Sequence, residues 1–513
     1  MEFCHTDNIL DSPAAQMIAE YMQDLRVNGV TRKDADSTGT FELCEQTIHT
    51  LVMALERELV GEALSQYDTT TKEVEVDGKA YRRGARLSES YLTAAGPLSV
   101  ERYLYYPVGE KGKSICPLEL RSGIIAGFFT PRAAKQGAFA MAHLTPGECE
   151  KLFDEIGNMR PSRSSLDRLT KALSPHWEEH REDWEVKLRE KETVPATSTV
   201  LAISVDGVMA PMRGMEKPEK TEPSTKQASG PKGYKEVGCG TVTMYNPEAE
   251  RLQTVYYGRM PESKKVSLQQ QLETEMASIL AITPNLLRVH LSDGAKDNWR
   301  LMNDIEARLP APSQAPIDIA DFYHACDHLK NGCDAAWGDN SQKSKEFFER
   351  LRTTLKERDN GAERVIRTLR FQSSLASGHK RERLETELTY FRNQQPRMNY
   401  PEYIRRGLPI ASGVMEAACK TLVTQRMKRS GMIWTNEGGQ SILTLRSLVQ
   451  SNRWDVAWAL LSADFRIPVK VSDEPTQHPG QTICSGLTPI NPLPGPSQPL
   501  DLFEGAVLML ASR

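Results

Sequence analysis

The spacing of apolar positions changes character several times along the chain, and each change predicts a different element. Within residues 38–68, Phe41, Leu43, Ile48, Leu51, Leu55 and Leu59 recur at helical intervals before a Thr-rich break, so residues 1–70 read as helical. The segment "KEVEVDGKAYRRGARLSESYLTAAGPLSVERYLYYPVG" alternates instead. Turn signals at Asp77-Gly78 and Gly96-Pro97 divide it, which predicts a small antiparallel sheet within 71–130. Helical spacing returns in 131–195, where "TPGECEKLFDEIGNMRPSRSSLDRLTKAL" predicts helix, short turn, helix. Thr145-Pro146 and Pro161-Ser162 mark the two starts.

From residue 196 the period shortens. Val200–Val205 reads as a buried strand that ends on Asp206-Gly207. A Lys-, Pro-, Ser- and Gly-rich loop follows over 213–236, of a composition that buries little and is expected to be mobile. Two strand-like runs, "VGCGTVTMY" and "RLQTVYYGRM", are joined by "NPEAE" as a hairpin. A helix is expected over Ser267–Leu280, then a strand ending on Asp293-Gly294 with a helix behind it, then another strand and helix within "PIDIADFYHACDHLKNGCDAAW". The order β-β-β-α-β-α-β-α predicts an α/β fold with a mixed sheet and helices on both faces, the arrangement of an RNase H-like domain. Residues 338–407 are long, charged and helical, and read as an all-helical insertion that divides this domain into 196–337 and 408–467. A helix resumes after 408, with Ser412 as its N-cap and Glu416 in its first turn. Eight prolines from Pro468 to Pro499 predict a largely disordered tail, 468–513.

Bulk properties narrow little. A chain of 513 residues with 39% hydrophobic and 26% charged content is that of an ordinary soluble protein of about three domains. The net charge of -4 argues against a uniformly basic nucleic-acid coat but not against a local basic surface. No apolar run reaches membrane-span length, and the first residues carry no secretory pattern. The nine cysteines form no C-x-x-C pair, which fits reduced thiols in a cytoplasmic, nucleoid-associated protein.

Candidate chemistry lies in acids at the ends of elements. Asp206 and Asp293 each close a strand and precede a glycine, so each is either a turn former or a metal ligand. In a twisted sheet of this order the two carboxylates face one another, and Glu416 begins a helix able to join them. Alone, Glu416 would be an ordinary helix-dipole carboxylate. Three carboxylates on rigid elements suit Mg²⁺, with Mn²⁺ as its substitute. Two such ions about 3.5–4 Å apart would serve in-line attack on a phosphodiester.

The motifs "SVDGVMAPM", "LSDGAKDNW", "DFYHACDHL" and "GLPIASGVMEAACKTLVTQRMKRSGMIWTNEGGQSILTLRSLVQSNRWDVAW" resemble bacterial insertion-sequence transposases of the ISKra type, relatives of the mutator-like DDE transposases. The resemblance spans about residues 195–460 and is weaker in the preceding helices and β-rich patch. It implies Asp206, Asp293 and Glu416 as the DDE triad, and the helical insertion before the Glu-bearing helix. It also implies that Asp321 and His324 form an acidic-x-x-His signature whose histidine lies close to the catalytic centre. The Lys- and Pro-rich loop and the Pro-rich tail fall outside it.

Further candidates have competing readings. His324 and His328 stand four apart on a helix, a spacing that also suits Zn²⁺, but no Glu follows His324 as a zinc-protease motif requires. Arg163 and Arg168 sit at the start of what is either a DNA-reading helix or half of a plain helical hairpin. Between Tyr403 and Asn436 six basic residues, Arg405, Arg406, Lys420, Arg426, Lys428 and Arg429, accompany Glu416 as the single acid, which predicts a phosphate-tracking surface. Lys420 is alternatively an ion-pair partner of Glu416. Trp434 either stacks on an unpaired base or closes the core. The expectation is a DNA transposase that binds terminal inverted repeats, cleaves at the ends and joins the 3′-hydroxyl to target DNA as a homodimer or larger assembly. A nuclease without joining activity and a DNA-binding protein with an idle centre remain alternatives.

Overall fold

The computed structural model describes residues 12–27, 40–109, 111–213 and 233–471. Helices α1 (Pro13–Val27) and α2 (Thr40–Ser65) form where the apolar spacing predicts helix. Their stripe is only partly used: Leu51 is buried, whereas Phe41, Leu43, Ile48 and Leu59 are exposed. Strands β1 (Glu73–Val76), β2 (Lys79–Thr93) and β3 (Gly96–Pro107) follow as an antiparallel meander. Asp77 and Gly78 both take positive φ, as a two-residue hairpin turn demands.

The short α3 (Pro117–Ser122) leads to α4 (Pro131–His143), α5 (Pro146–Ile156) and α6 (Arg163–Glu190). Thr145 and Glu148 form a capping box on α5, and Ser162 caps α6, so the two predicted helix starts hold. The second helix is a long spine of 28 residues rather than a short reading helix. It buries Leu166, Leu169, Leu173, Trp177, Trp184 and Leu188 against neighbouring helices.

The central sheet contains β4 (Val200–Pro211), β5 (Tyr234–Tyr245), β6 (Arg251–Arg259), β7 (Leu287–Ser292) and β8 (Ile317–Ala320), in the order β6-β5-β4-β7-β8. The first three strands are antiparallel; β4, β7 and β8 run parallel. Helices α7 (Val266–Ile282) and α8 (Lys296–Glu306) make the crossovers, and α9 (Phe322–Trp337) leaves β8. Strand alternation assigns the layers: Leu201, Ile203 and Val205 pack with α7 and α8, while Val200 and Ala202 pack with α9. One expectation is corrected here. β4 does not end at Asp206 but runs on to Pro211, paired with β5, so Asp206-Gly207 is mid-strand and not a turn.

Helices α10 (Gln342–Glu357), α11 (Gly361–Ser374), α12 (Gly378–Gln394) and α13 (Tyr400–Arg405) occupy the predicted insertion. They share one apolar core with α9 and with Val289 and Leu291 of β7, so the insertion is fused to the sheet. Next come α14 (Gly413–Ala418), a π-helical stretch Cys419–Thr424, and a single turn, α15 (Gln425–Met427). Helices α16 (Asn436–Gln450) and α17 (Trp454–Asp464) close the fold against α4 and α6. Lys470–Val471 forms β9, which pairs with β1 and corrects the start of the expected tail. The rest of that tail, 472–513, and most of the predicted mobile loop, 214–232, lie outside the described residues. Among the described residues no helix is long and apolar enough to cross a membrane.

Candidate active site

The parallel ladder between β4 and β7 places the first two acids. Its last pair is Ser204 with Leu291, and Asp206 and Asp293 each lie two residues further along. Two residues is one strand period, so both acids keep the same face and leave the ladder side by side. Beyond the end of β7, β4 stays paired with β5, with Asp206 opposite Cys239, and Pro211 at its end accepts the Trp434 amide.

Asp206 Oδ1 accepts the Gly207 amide at 2.7 Å, and Oδ2 accepts the Cys419 thiol at 3.6 Å. Burial, aided by the charge of Asp293, holds the Asp206 carboxyl above the usual carboxylate range despite these bonds. Asp293 Oδ1 accepts from Ser292 Oγ and the Ala295 amide, each at 3.0 Å. Both acids line a cleft of 1220 Å³ together with Glu236, Lys265 and Asn298. Lys265 Nζ lies 2.7 Å from Glu236 Oε1, and that carboxylate crosses Gly207 so closely that a Cβ there would sit 2.0 Å from it. The glycine after Asp206 therefore leaves room for the Glu236 side chain rather than making a turn.

Glu416 arrives by another route. Asp321 caps α9 by accepting the His324 amide at 2.6 Å, and its second oxygen accepts the Ser412 amide. One buried carboxylate thus anchors both α9 and the entry to α14. Ser412 is the N-cap as expected, although its side chain makes no cap bond, and Glu416 stands in the first turn. Cys419, one turn beyond Glu416, touches Asp206. Met415, Ala418 and Cys419 pack onto the sheet, and Glu416 stands at the edge of that buried face. Its side chain is exposed and does not line the cleft.

The rim pair is an all-oxygen donor set that fits a hard divalent ion, because the charge of Asp293 burdens that of Asp206. Among the described residues no three His, Cys, Asp or Glu side chains already stand together in metal-holding geometry. The structure thus brings two of the three acids to one cleft, with Glu416 exposed on α14 outside its lining. The same holds for a zinc site at His324 and His328: their Nε2 atoms are 3.2 Å apart, and no third ligand joins them.

The predicted basic surface is divided. Lys420 and Lys428 are exposed near Glu416, and Arg406 is exposed at the end of α13. Arg405 is exposed but engaged with Glu402 and Asp359, Arg429 with Glu148, and Arg163 with Glu150. Arg168 is exposed on α6. Arg426 is a correction: it is 2% exposed, lies over the Trp434 ring at 5.5 Å, and burial pushes its pKa down to about 10. It cannot track phosphates. Trp434 is corrected likewise, since its indole donates to Met427 O at 2.9 Å and its ring packs against two apolar clusters.

Several residues that shape the site escape sequence reading. Arg446, buried on α16, donates to the carbonyls of Thr421, Leu422 and Ala142, and so satisfies groups that the π-helical stretch leaves open. Glu387, Tyr390 and Gln394 reach the site from α12. Their spacing of three and then four residues was the one available signal, and it is common to any amphipathic helix.

No family model matches the chain, and no curated protein matches it. Among solved structures it is similar to the Drosophila P element transposase strand transfer complex at 12% identity, covering 68% of this chain and 85% of that one with a TM-score of 0.25. It is also similar to the Mos1 transposase paired-end complex with the left transposon end at 13% identity, covering 52% and 74% with a TM-score of 0.16. Scores this low fix no common geometry.

Proposed function

We propose that this chain is a metal-dependent DNA transposase with an RNase H-like catalytic core. The observation that carries the reading is the pairing of Asp206 with Asp293 at one end of a β6-β5-β4-β7-β8 sheet, with the Glu416 helix packed beside Asp206. Acids on three separate elements suit phosphoryl transfer, which asks the protein for positioning and charge more than for a nucleophile.

In this reading Asp206, Asp293 and Glu416 hold Mg²⁺, which when bound supplies charge for in-line attack on a phosphodiester. Asp206 is fixed by the Gly207 amide and the Cys419 thiol, so it meets the ion without reorienting. Asp293 is fixed by Ser292 and Ala295. Glu416 would complete the set from the first turn of α14, where its side chain is exposed. Lys420, Lys428 and Arg406 engage the DNA backbone, while Arg163 and Arg168 face the element ends with the N-terminal helices and the small sheet. Cutting two ends together calls for a dimer or larger assembly on DNA.

The test incubates purified protein with Mg²⁺, duplexes taken from the DNA flanking its coding sequence, and a target plasmid. Cleaved ends joined to plasmid are expected. Cleavage without joining would leave a nuclease, and no cleavage would remove the enzymatic reading. Unchanged cleavage by Asp206→Asn would overturn the triad.

A further inference from the structure

The helical insertion sends one face of α12 into the site. Glu387, Tyr390 and Gln394 lie along that face, and each has a partner there. Glu387 Oε2 is 2.5 Å from His328 Nδ1. The Tyr390 ring stacks on His328 with centroids 3.6 Å apart, and its hydroxyl donates to the Asp293 carbonyl at 3.3 Å. Gln394 donates to the Gly294 carbonyl at 3.0 Å and packs against that glycine, whose φ is +111°. The same helix therefore grips both the histidine pair and the turn that carries Asp293.

The hydrogen bonds in this cluster have only one consistent polarity for neutral imidazoles. A carboxylate only accepts, so His328 Nδ1 carries the proton and His328 Nε2 has the lone pair. His324 Nε2, 3.2 Å away, must then be the donor. This leaves His324 Nδ1 unprotonated, and among the described residues it has no partner. His324 itself is half-buried, with part of its surface open to solvent.

We infer that the Glu387–His328–His324 chain sets His324 as a proton acceptor at Nδ1, facing the substrate beside Asp293. The inference deepens the transposase reading and rests on it. Glu387 and His328 are positioning residues; His324 is the group that meets the attacking water or 3′-hydroxyl. In that step the O–H bond breaks as oxygen attacks phosphorus, and its proton forms an N–H bond at His324 Nδ1; the new P–O bond forms as the scissile P–O bond breaks, and the leaving 3′-oxygen takes a proton from solvent water. The resulting imidazolium strengthens its Nε2–H donation toward His328, whose other nitrogen is already held by the Glu387 carboxylate. A general base of this kind contributes about 10²–10⁴-fold to rate. The insertion is thus part of the active site, although no residue of it is an expected metal ligand.

The experiment reads tautomers first. Solid-state ¹⁵N NMR of histidine-labelled full-length protein, assigned with His324→Gln and His328→Gln, should show His324 protonated at Nε2 and bare at Nδ1. Glu387→Ala should mix the tautomers of both rings and lower single-turnover DNA cleavage about 10-fold or more with little change in DNA affinity. Glu387→Gln, whose amide oxygen still accepts the His328 proton, should keep the tautomer and most of the rate. His324 protonated at Nδ1 in the wild type would overturn the inference. So would Glu387→Ala variants that fold, as judged by an unchanged melting profile, and retain both tautomer and rate. If the wild type cleaves no duplex, the transposase reading fails separately and the relay is decided by the spectrum.

Discussion

Two regions of the site reach the same place by different physics. The Asp206–Asp293 rim is built into the sheet: its acids are spaced by strand register and held by bonds to their immediate neighbours. The Glu416 arm is hung from elsewhere. Its entry is tied to Asp321, its middle touches Asp206 through Cys419, and its π-helical carbonyls are held by Arg446 from another helix. The rim is rigid because backbone ladders make it so. The arm is held by these side-chain bonds together with apolar packing of Met415, Ala418, Leu422 and Val423 on the sheet, and a π-helical stretch at such a point is a frequent mark of a functional site.

The comparison breaks most visibly at the acids. Asp206→Asn and Glu416→Gln should each lower Mg²⁺-dependent cleavage by more than about 100-fold, beyond the usual cost of an outer partner. Their stabilities should diverge. The folded-state pKa of Asp206 is raised, first by burial, so its contribution is full at low pH and is lost as pH rises through that pKa. Asp206→Asn should therefore raise Tm at pH 8, and the gain should vanish as the wild-type carboxyl protonates. Glu416 is exposed, so its substitution should change the unfolding free energy by no more than about 0.5 kcal/mol.

The arm can be loosened without touching an acid. Arg446→Met leaves the carbonyls of Thr421, Leu422 and Ala142 without their donor, a loss of about 3 kcal/mol in denaturant unfolding. Hydrogen exchange should rise across 413–427 more than across the rim strands. The smallest effect concerns the basic face. Lys428→Ala should weaken DNA binding a few-fold and reduce the salt slope by about 1, with stability unchanged. Arg426→Ala should instead destabilise the fold, because that guanidinium is buried against Trp434.

Much of the architecture is legible in residue order. The hairpin at "NPEAE", the helix behind it and the two acid-glycine pairs predict a mixed sheet, and the observed strands and crossovers follow. The extent of β4 was misjudged because Asp-Gly carries a turn propensity that the β5 ladder overrides. Trp434 takes the core position that was one of its two readings, whereas Arg426 is misplaced for a related reason. A run of basic residues on a helix looks like one surface, yet a π-helical stretch changes which positions face inward.

The sequence by itself determined the local periods and the helix starts at Thr145 and Ser162, since these depend on neighbours a few residues apart. Tertiary structure alone decided that Cys419 touches Asp206, that Asp321 ties α9 to α14, and that α12 supplies a partner for His328. Those contacts join residues 213, 91 and 59 positions apart. Packing chooses such partners, and no local pattern encodes them.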